Sequence, residues 1–174
     1  MRSRAAFLIL MTAVPSIIVA QAPAPVAAAF RNAEASRARI LVAAAEAMPA
    51  DHYSYKPTPA QMSFGDVVSH VAEGNDYLCG EIGGMKPPSR APVTETSSKD
   101  VLVARLKETF QFCNDAIASL DDSKLSEELP FFGGRKVSRA GIMIETVGDW
   151  ADHYSQASVY LRMNGQLPPT AKKP

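Results

Sequence analysis

The feature that most restricts this chain is an apolar stripe in its last third. Met143, Val147, Trp150, Tyr154, Ala157 and Leu161 follow one another at alternating steps of four and three residues, the pattern of a helix whose one face is packed inside a helical bundle. Ser138 is the predicted start. Asn164-Gly165 supplies the stop, because Gly tolerates the left-handed conformation that closes a helix, and Pro168-Pro169 prevents resumption. Beside the stripe runs a second row, Ile142, Thr146, Asp149, His153 and Tyr160. Asp149 and His153 stand one turn apart, with β-carbons roughly 6 Å from each other, so both can reach one metal ion or one polar ligand.

Three more helices precede it. The first is predicted from Val26 to Met48, with Phe30, Ala33, Ile40, Leu41, Ala44 and Met48 on its apolar face, Arg31, Glu34, Arg39 and Glu46 solvated, and Pro49 as its end. In the following loop, His52 reads as an exposed loop residue rather than a ligand. Ser63 and Asp66 form a capping box that opens the second helix, Asp standing where Glu is usual. Its buried stripe is Phe64, Val67, Val68, Val71, Leu78 and Ile82, bordered by His70, and Gly83-Gly84 ends it. After a Pro-rich surface loop, Ser97 or Ser98 caps the third helix, with Asp100 near its positive end. Leu102, Leu106, Phe110, Cys113, Ile117 and Leu120 face inward, and Asp121-Asp122-Ser123 terminates it. A short extended turn is predicted at Phe132-Gly133-Gly134. Four helices, no internal repeat and no long alternating strand pattern give an all-α bundle.

A chain of 174 residues fits one domain and buries a sizeable core. Its 47% hydrophobic and 21% charged residues exclude a disordered chain, and the balance of 18 basic and 18 acidic residues offers no electrostatic case for nucleic acid or anionic lipid as a partner. Residues 1–20 read as a secretory signal: Arg2 and Arg4, then an apolar run, then small residues. Thr12, Pro15 and Ser16 interrupt that run and make it short for a membrane anchor, the competing reading. Cleavage is expected at Ala20 or, by the small-residue rule, at Ala22. The mature protein is then expected to be exported, periplasmic or secreted, with no membrane attachment.

The segment HYSQASVYLRMNGQLPP, beginning at His153, resembles the last helix of the DinB-like superfamily, and MPADHYSYKPTPAQMSFGDVVSHVA, beginning at Met48, resembles that family's first inter-helix loop and second helix. The name is unrelated to the lesion-bypass DNA polymerase. The resemblance implies a four-helix bundle of up-down-down-up type spanning residues 26–169, with 170–174 as a tail. It also implies that Tyr53 and Tyr55 cover the core at one end, that Tyr160 and Arg162 hold the loop or the helix end, and that dimerisation through bundle faces is available. Relatives commonly hold a divalent metal with one His from the second helix and two from the last, spaced His-x-x-x-His. His70 and His153 match two of these positions. Asp149 stands at the third.

Two outcomes are open at this departure. Two imidazoles and a carboxylate with open positions are a legitimate ligand set for Zn, Ni or Fe, with Glu145, one turn before Asp149, as a further oxygen ligand or an acceptor behind the ligands. Alternatively Asp149 marks a lost centre, and the three residues form a metal-free polar cluster. Cys79 and Cys113, one on each of the middle helices, make an even pair in an exported chain and are expected to form a disulfide; two buried free thiols are the alternative. The resemblance thus implies a metal-dependent hydrolase or transferase of unknown substrate. The alternative is a non-catalytic bundle that binds a small molecule or a partner.

Overall fold

A computed structural model describes residues 24–94 and 96–171; the predicted export signal and the last three residues lie outside them. Four helices form the body: α1 (Pro25–Ala47), α2 (Phe64–Gly83), α3 (Lys99–Ile117) and α4 (Arg139–Met163). Their ends follow from local chemistry. Pro25 stands in the first turn of α1, where its missing N–H costs nothing. The free amides beside it, Val26 and Ala27, donate to the Asp122 carboxylate at 3.1 and 2.8 Å, so Asp122 caps α1 from the far side of the chain. At the other end, Lys99 Nζ donates to the Glu46 and Met48 carbonyls at 2.7 and 2.8 Å. Ser63 and Asp66 form the predicted reciprocal box on α2, Ser98 rather than Ser97 caps α3, and Ser138 caps α4.

These ties also give the directions. Asn75 meets Thr109 and Cys79 meets Cys113, so α2 and α3 run parallel. The contacts Met62 with Tyr160, Asn75 with Trp150 and Ile82 with Arg139 make α4 antiparallel to α2. Arg31 donates to the Leu120 carbonyl and Lys99 reaches the end of α1, so α3 is antiparallel to α1 as well. The bundle is therefore up-down-down-up. Adjacent helices close a ring in the order α1, α3, α2, α4, which sets the α1/α3 seam opposite the α2/α4 seam.

The core sits where the stripes meet. Trp150, 1% exposed, lies between the rings of Phe30 and Phe110, with centroids 5.9 and 5.8 Å away. Its Nε1–H donates to Asn75 Oδ1 at 2.7 Å, Asn75 Nδ2–H donates to Thr109 Oγ1 at 3.2 Å, and the Thr109 hydroxyl donates to the Leu106 carbonyl at 3.1 Å. Three helices thus share one satisfied polar chain in an apolar interior. Cys79 and Cys113 are disulfide-bonded, both fully buried, and join α2 to α3 across a sequence separation of 34. Constraining an unfolded loop of that length contributes about 3–4 kcal/mol on the chain-entropy account. Tyr53 closes one end of the core: its ring meets Phe64 edge-on and its hydroxyl donates to the Ala45 carbonyl at 2.6 Å.

Two features differ from the sequence reading. The expected extended turn is a full hairpin, β1 (Glu128–Phe131) paired antiparallel with β2 (Arg135–Ser138), Glu128 opposite Ser138 and Phe131 opposite Arg135. Gly133 and Gly134 turn it with φ of 69° and 72°, a left-handed backbone that favours glycine. Its strands are only four residues long: β1 turns Leu129 and Phe131 inward and β2 buries no residue, too short a pattern to read as strand from sequence. The second difference is Glu34, expected in solvent but 2% exposed. Ala27, Phe30, Glu34 and Leu41 follow the inward-facing spacing of α1, and Glu34 holds a core position by geometry despite its charge.

Burial pushes the Glu34 carboxyl up from 4.5 to about 7. An unfolded chain releases that proton near the ordinary value, so the folded protein binds the extra proton between these limits and loses stability as pH rises through them. At about 1.4 kcal/mol per pH unit, the loss is of order 3 kcal/mol and is complete somewhat above neutrality. Chemical denaturation of Glu34→Gln is therefore expected to match the wild type at about pH 4 and to exceed it by roughly 2–3 kcal/mol at about pH 8. A stability difference that does not change with pH would contradict this account.

Candidate metal centre

The α2/α4 seam brings together His70, Asp149 and His153. One ligand atom from each lies within 4.8 Å of the other two. Asp149 and His153 share a face of α4 because they are one turn apart, and His70 enters from α2 because the antiparallel register sets its turn against theirs. The imidazole rings of His70 and His153 meet edge-on with centroids 4.9 Å apart. His153 is buried, Asp149 half-buried and His70 exposed, so the cluster opens to solvent on the α2 side. Across from Asp149 stands Gly74, where an added β-carbon would lie 3.9 Å from Oδ2.

His153 is held by a chain of hydrogen bonds that starts outside α4. The Tyr160 hydroxyl donates to the Met62 carbonyl at 2.9 Å, leaving its oxygen to accept from Gln156 Nε2–H at 3.3 Å. This settles which way the Gln156 amide faces. Its Oε1 meets His153 Nδ1 at 3.3 Å, and Nδ1 must therefore carry the proton. The remaining ring nitrogen, Nε2, is aimed at Asp149 Oδ1, 3.3 Å away. In a neutral ring that arrangement sets a lone pair against a carboxylate, so a second proton or a cation belongs between them. Without a cation the arrangement favours the proton: the Asp149 hydrogen bond raises the His153 pKa above its ordinary value against the opposing effect of burial, with the Asp149 charge, Gln156 and Asp152 adding to the rise.

The same geometry accepts a divalent ion. Ligands bound at about 2.0–2.2 Å to one centre lie roughly 3–3.5 Å apart, and the Nε2 to Oδ1 separation of 3.3 Å falls within that range. A ligand atom of His70 lies within 4.8 Å of both, on the exposed side of the cluster. Two borderline nitrogens and one hard oxygen suit Zn(II), Ni(II) or Fe(II). Glu145, considered as a further ligand, is exposed and lies outside this cluster. His52 is also elsewhere, in a short 3-10 turn at Ala50–His52 near Asp51.

The sequence matches the DinB superfamily over residues 33–157. The chain belongs to that superfamily. Its fold is similar to that of a DinB-like protein from Bacillus subtilis, with a TM-score of 0.66 and 23% identity over 84% of this chain and 99% of that one. It is likewise similar to a DinB-like protein from Bacillus cereus, with a TM-score of 0.67 and 15% identity over 80% of this chain and 93% of that one. No curated protein matches the sequence. Within this DinB fold, Tyr160 holds the loop before α2 and through Gln156 orients His153. Arg162 bonds only to its own helix, at the Ser158 carbonyl, among the described residues. Gln156 was not singled out from sequence; its place one turn before Tyr160, and three residues after His153, was the available signal.

Gln156→Leu removes the acceptor at His153 Nδ1 while leaving all three side chains of the cluster. Loss of such a supporting hydrogen bond is expected to weaken Zn(II) binding about 10- to 100-fold in isothermal titration, with the helical circular dichroism unchanged. Affinity equal to the wild type would show that Gln156 does not orient the ring.

Proposed function

We propose that this protein is an exported, divalent-metal-dependent hydrolase or transferase whose metal is held by His70, Asp149 and His153. The observation that carries the reading is the pairing of His153 Nε2 with Asp149 Oδ1 at 3.3 Å while Gln156 occupies the other ring nitrogen, an arrangement that calls for a positive charge between the two groups. A bound divalent cation supplies Lewis acidity with coordination positions left over for substrate. The chain supplies the rest. Gln156 and Tyr160 fix the His153 ring, so little reorganisation is needed when the centre loads. Asp149 contributes a negative charge that offsets the ion's own. The exposed side of His70 leaves the α2 flank open for a substrate to approach. Export is supported by the apolar N-terminal segment and by the buried Cys79–Cys113 bridge, which fits an oxidising compartment. No described helix is long and apolar enough to cross a membrane.

A second reading has one observation in its favour. Asp149 already supports a protonated His153, so the cluster is satisfied without metal, as a non-catalytic bundle that binds a small molecule or a partner would require. The two readings part in one assay. The mature protein, loaded in turn with Zn(II), Ni(II) and Fe(II), is tested with p-nitrophenyl acetate for hydrolysis and with cysteine plus chlorodinitrobenzene for thiol transfer. The expected result is turnover that requires the metal and falls at least about 100-fold in His153→Ala, a loss no smaller than that of a supporting residue. Turnover unaffected by metal and by the variant, or none in a fully loaded protein, would favour the second reading.

A further inference from the structure

The α1/α3 seam, on the side of the bundle away from the metal cluster, contains a groove of about 520 Å³. That volume is within the range of small-molecule sites, roughly 300–1,000 Å³. Phe110, Ala38 and Val42 give it an apolar wall, and the Glu34 carboxyl lies along it. Glu34 is 2% exposed, and among the described residues no hydrogen bond or ion pair reaches it. A carboxyl group this deep in apolar surroundings, with its oxygens open only to the groove, is costly to ionise without a partner. The cations that line the groove do not serve Glu34. Lys107 is bound to Glu46 at 2.6 Å, and Arg39 is exposed on the next turns of α1. Of the groups lining the groove, only these four titrate or carry charge.

We propose that this groove binds an amphiphilic ammonium compound, with its apolar body along Ala38, Val42 and Phe110 and its charged nitrogen donating to the Glu34 carboxylate. The choice of a cation follows from chemistry. A desolvated carboxylate gains more from a charged donor than from a neutral one, and an acidic ligand would add repulsion to an already strained group. The apolar wall selects against a small hydrated cation, which would gain nothing from leaving water. Ligand binding also holds Glu34 ionised, so it reverses the proton uptake that burial otherwise imposes. The site is independent of the metal reading: it shares no residue with His70, Asp149 or His153 and stands on different helix faces.

The test uses the mature protein slightly above neutral pH, followed by amide NMR during titration with hexylammonium chloride, hexanol and hexanoate. Saturable shifts are expected for hexylammonium at Ala38, Val42 and Phe110, with hexanol and hexanoate at least about 10-fold weaker. Glu34→Gln, similar in size and uncharged, is expected to weaken hexylammonium binding by at least about 10-fold. A measurement on the wild type alone accompanies it: with side-chain carboxyl carbons labelled, the Glu34 titration midpoint is expected to fall when hexylammonium saturates the protein. The proposal is overturned if hexylammonium gives no saturable shifts in the groove, if hexanol binds as well, if Glu34→Gln retains the affinity, or if the midpoint does not move.

Discussion

The bond from Trp150 Nε1–H to the Asn75 side-chain oxygen Oδ1 is the point on which the rest of the structure depends. It sits at the centre of the apolar interior, where an unmet indole donor or amide would cost about 1–3 kcal/mol each. Only one register of α4 against α2 makes it. Met62 with Tyr160 at one end and Ile82 with Arg139 at the other lie on the same antiparallel line, so the register is fixed along the whole seam. Given that register, His70 has no choice but to face the turn that carries Asp149 and His153. The candidate metal cluster is thus a consequence of core packing. The disulfide on the neighbouring α2/α3 seam holds the platform that presents His70.

The arrangement also shows why an Asp can stand where relatives commonly carry a third His. A third imidazole would bring a neutral ligand, and His153 would face no charge. With Asp149 the pair is electrically biased toward positive charge, favouring a proton on His153 and, on the proposed reading, a divalent cation. The Gln156–Tyr160 chain makes this bias directional by assigning the Nδ1 proton and leaving Nε2 for Asp149 or the ion. The same Tyr160 hydroxyl ties down the loop that leads into α2. Loop position, helix register and ring orientation are therefore coupled through a single side chain.

Much of this was legible in the sequence because helices in bundles bury stripes. The a/d spacing of α2, α3 and α4 picks out core residues that are all buried or half-buried in the structure, and Ser63, Ser98 and Ser138 mark starts because short hydroxyl side chains satisfy free amides. Asp149 and His153 were recognisable by one-turn spacing, but adding His70 needed the family resemblance, since periodicity within α2 says nothing of what α4 brings to it. Residue type and position point opposite ways at Glu34: its charge suggests solvent, while its spacing from Phe30 and Leu41 puts it inside, and in the fold position prevails. Asn75, Thr109 and Gln156 were silent for a related reason. Their meaning lies in partners 34 to 75 residues away or in the tautomer of a neighbour, and no local pattern records either. The hairpin is legible only as a turn because its four-residue strands are too short to show a periodic burial pattern.

The proposed function stands or falls on whether His70, Asp149 and His153 form one divalent-metal centre with the carboxylate as a true ligand. The most direct test is anomalous diffraction from crystals of the Zn(II)-loaded mature protein, recorded on both sides of the zinc absorption edge. The expected result is a single peak bonded at about 2.0–2.2 Å to one nitrogen of each histidine and to an Asp149 oxygen, with Gln156 still at His153 Nδ1. A peak ligated by the histidines with Asp149 turned away would contradict it, as would zinc found only on surface carboxylates while His153 remains paired with Asp149.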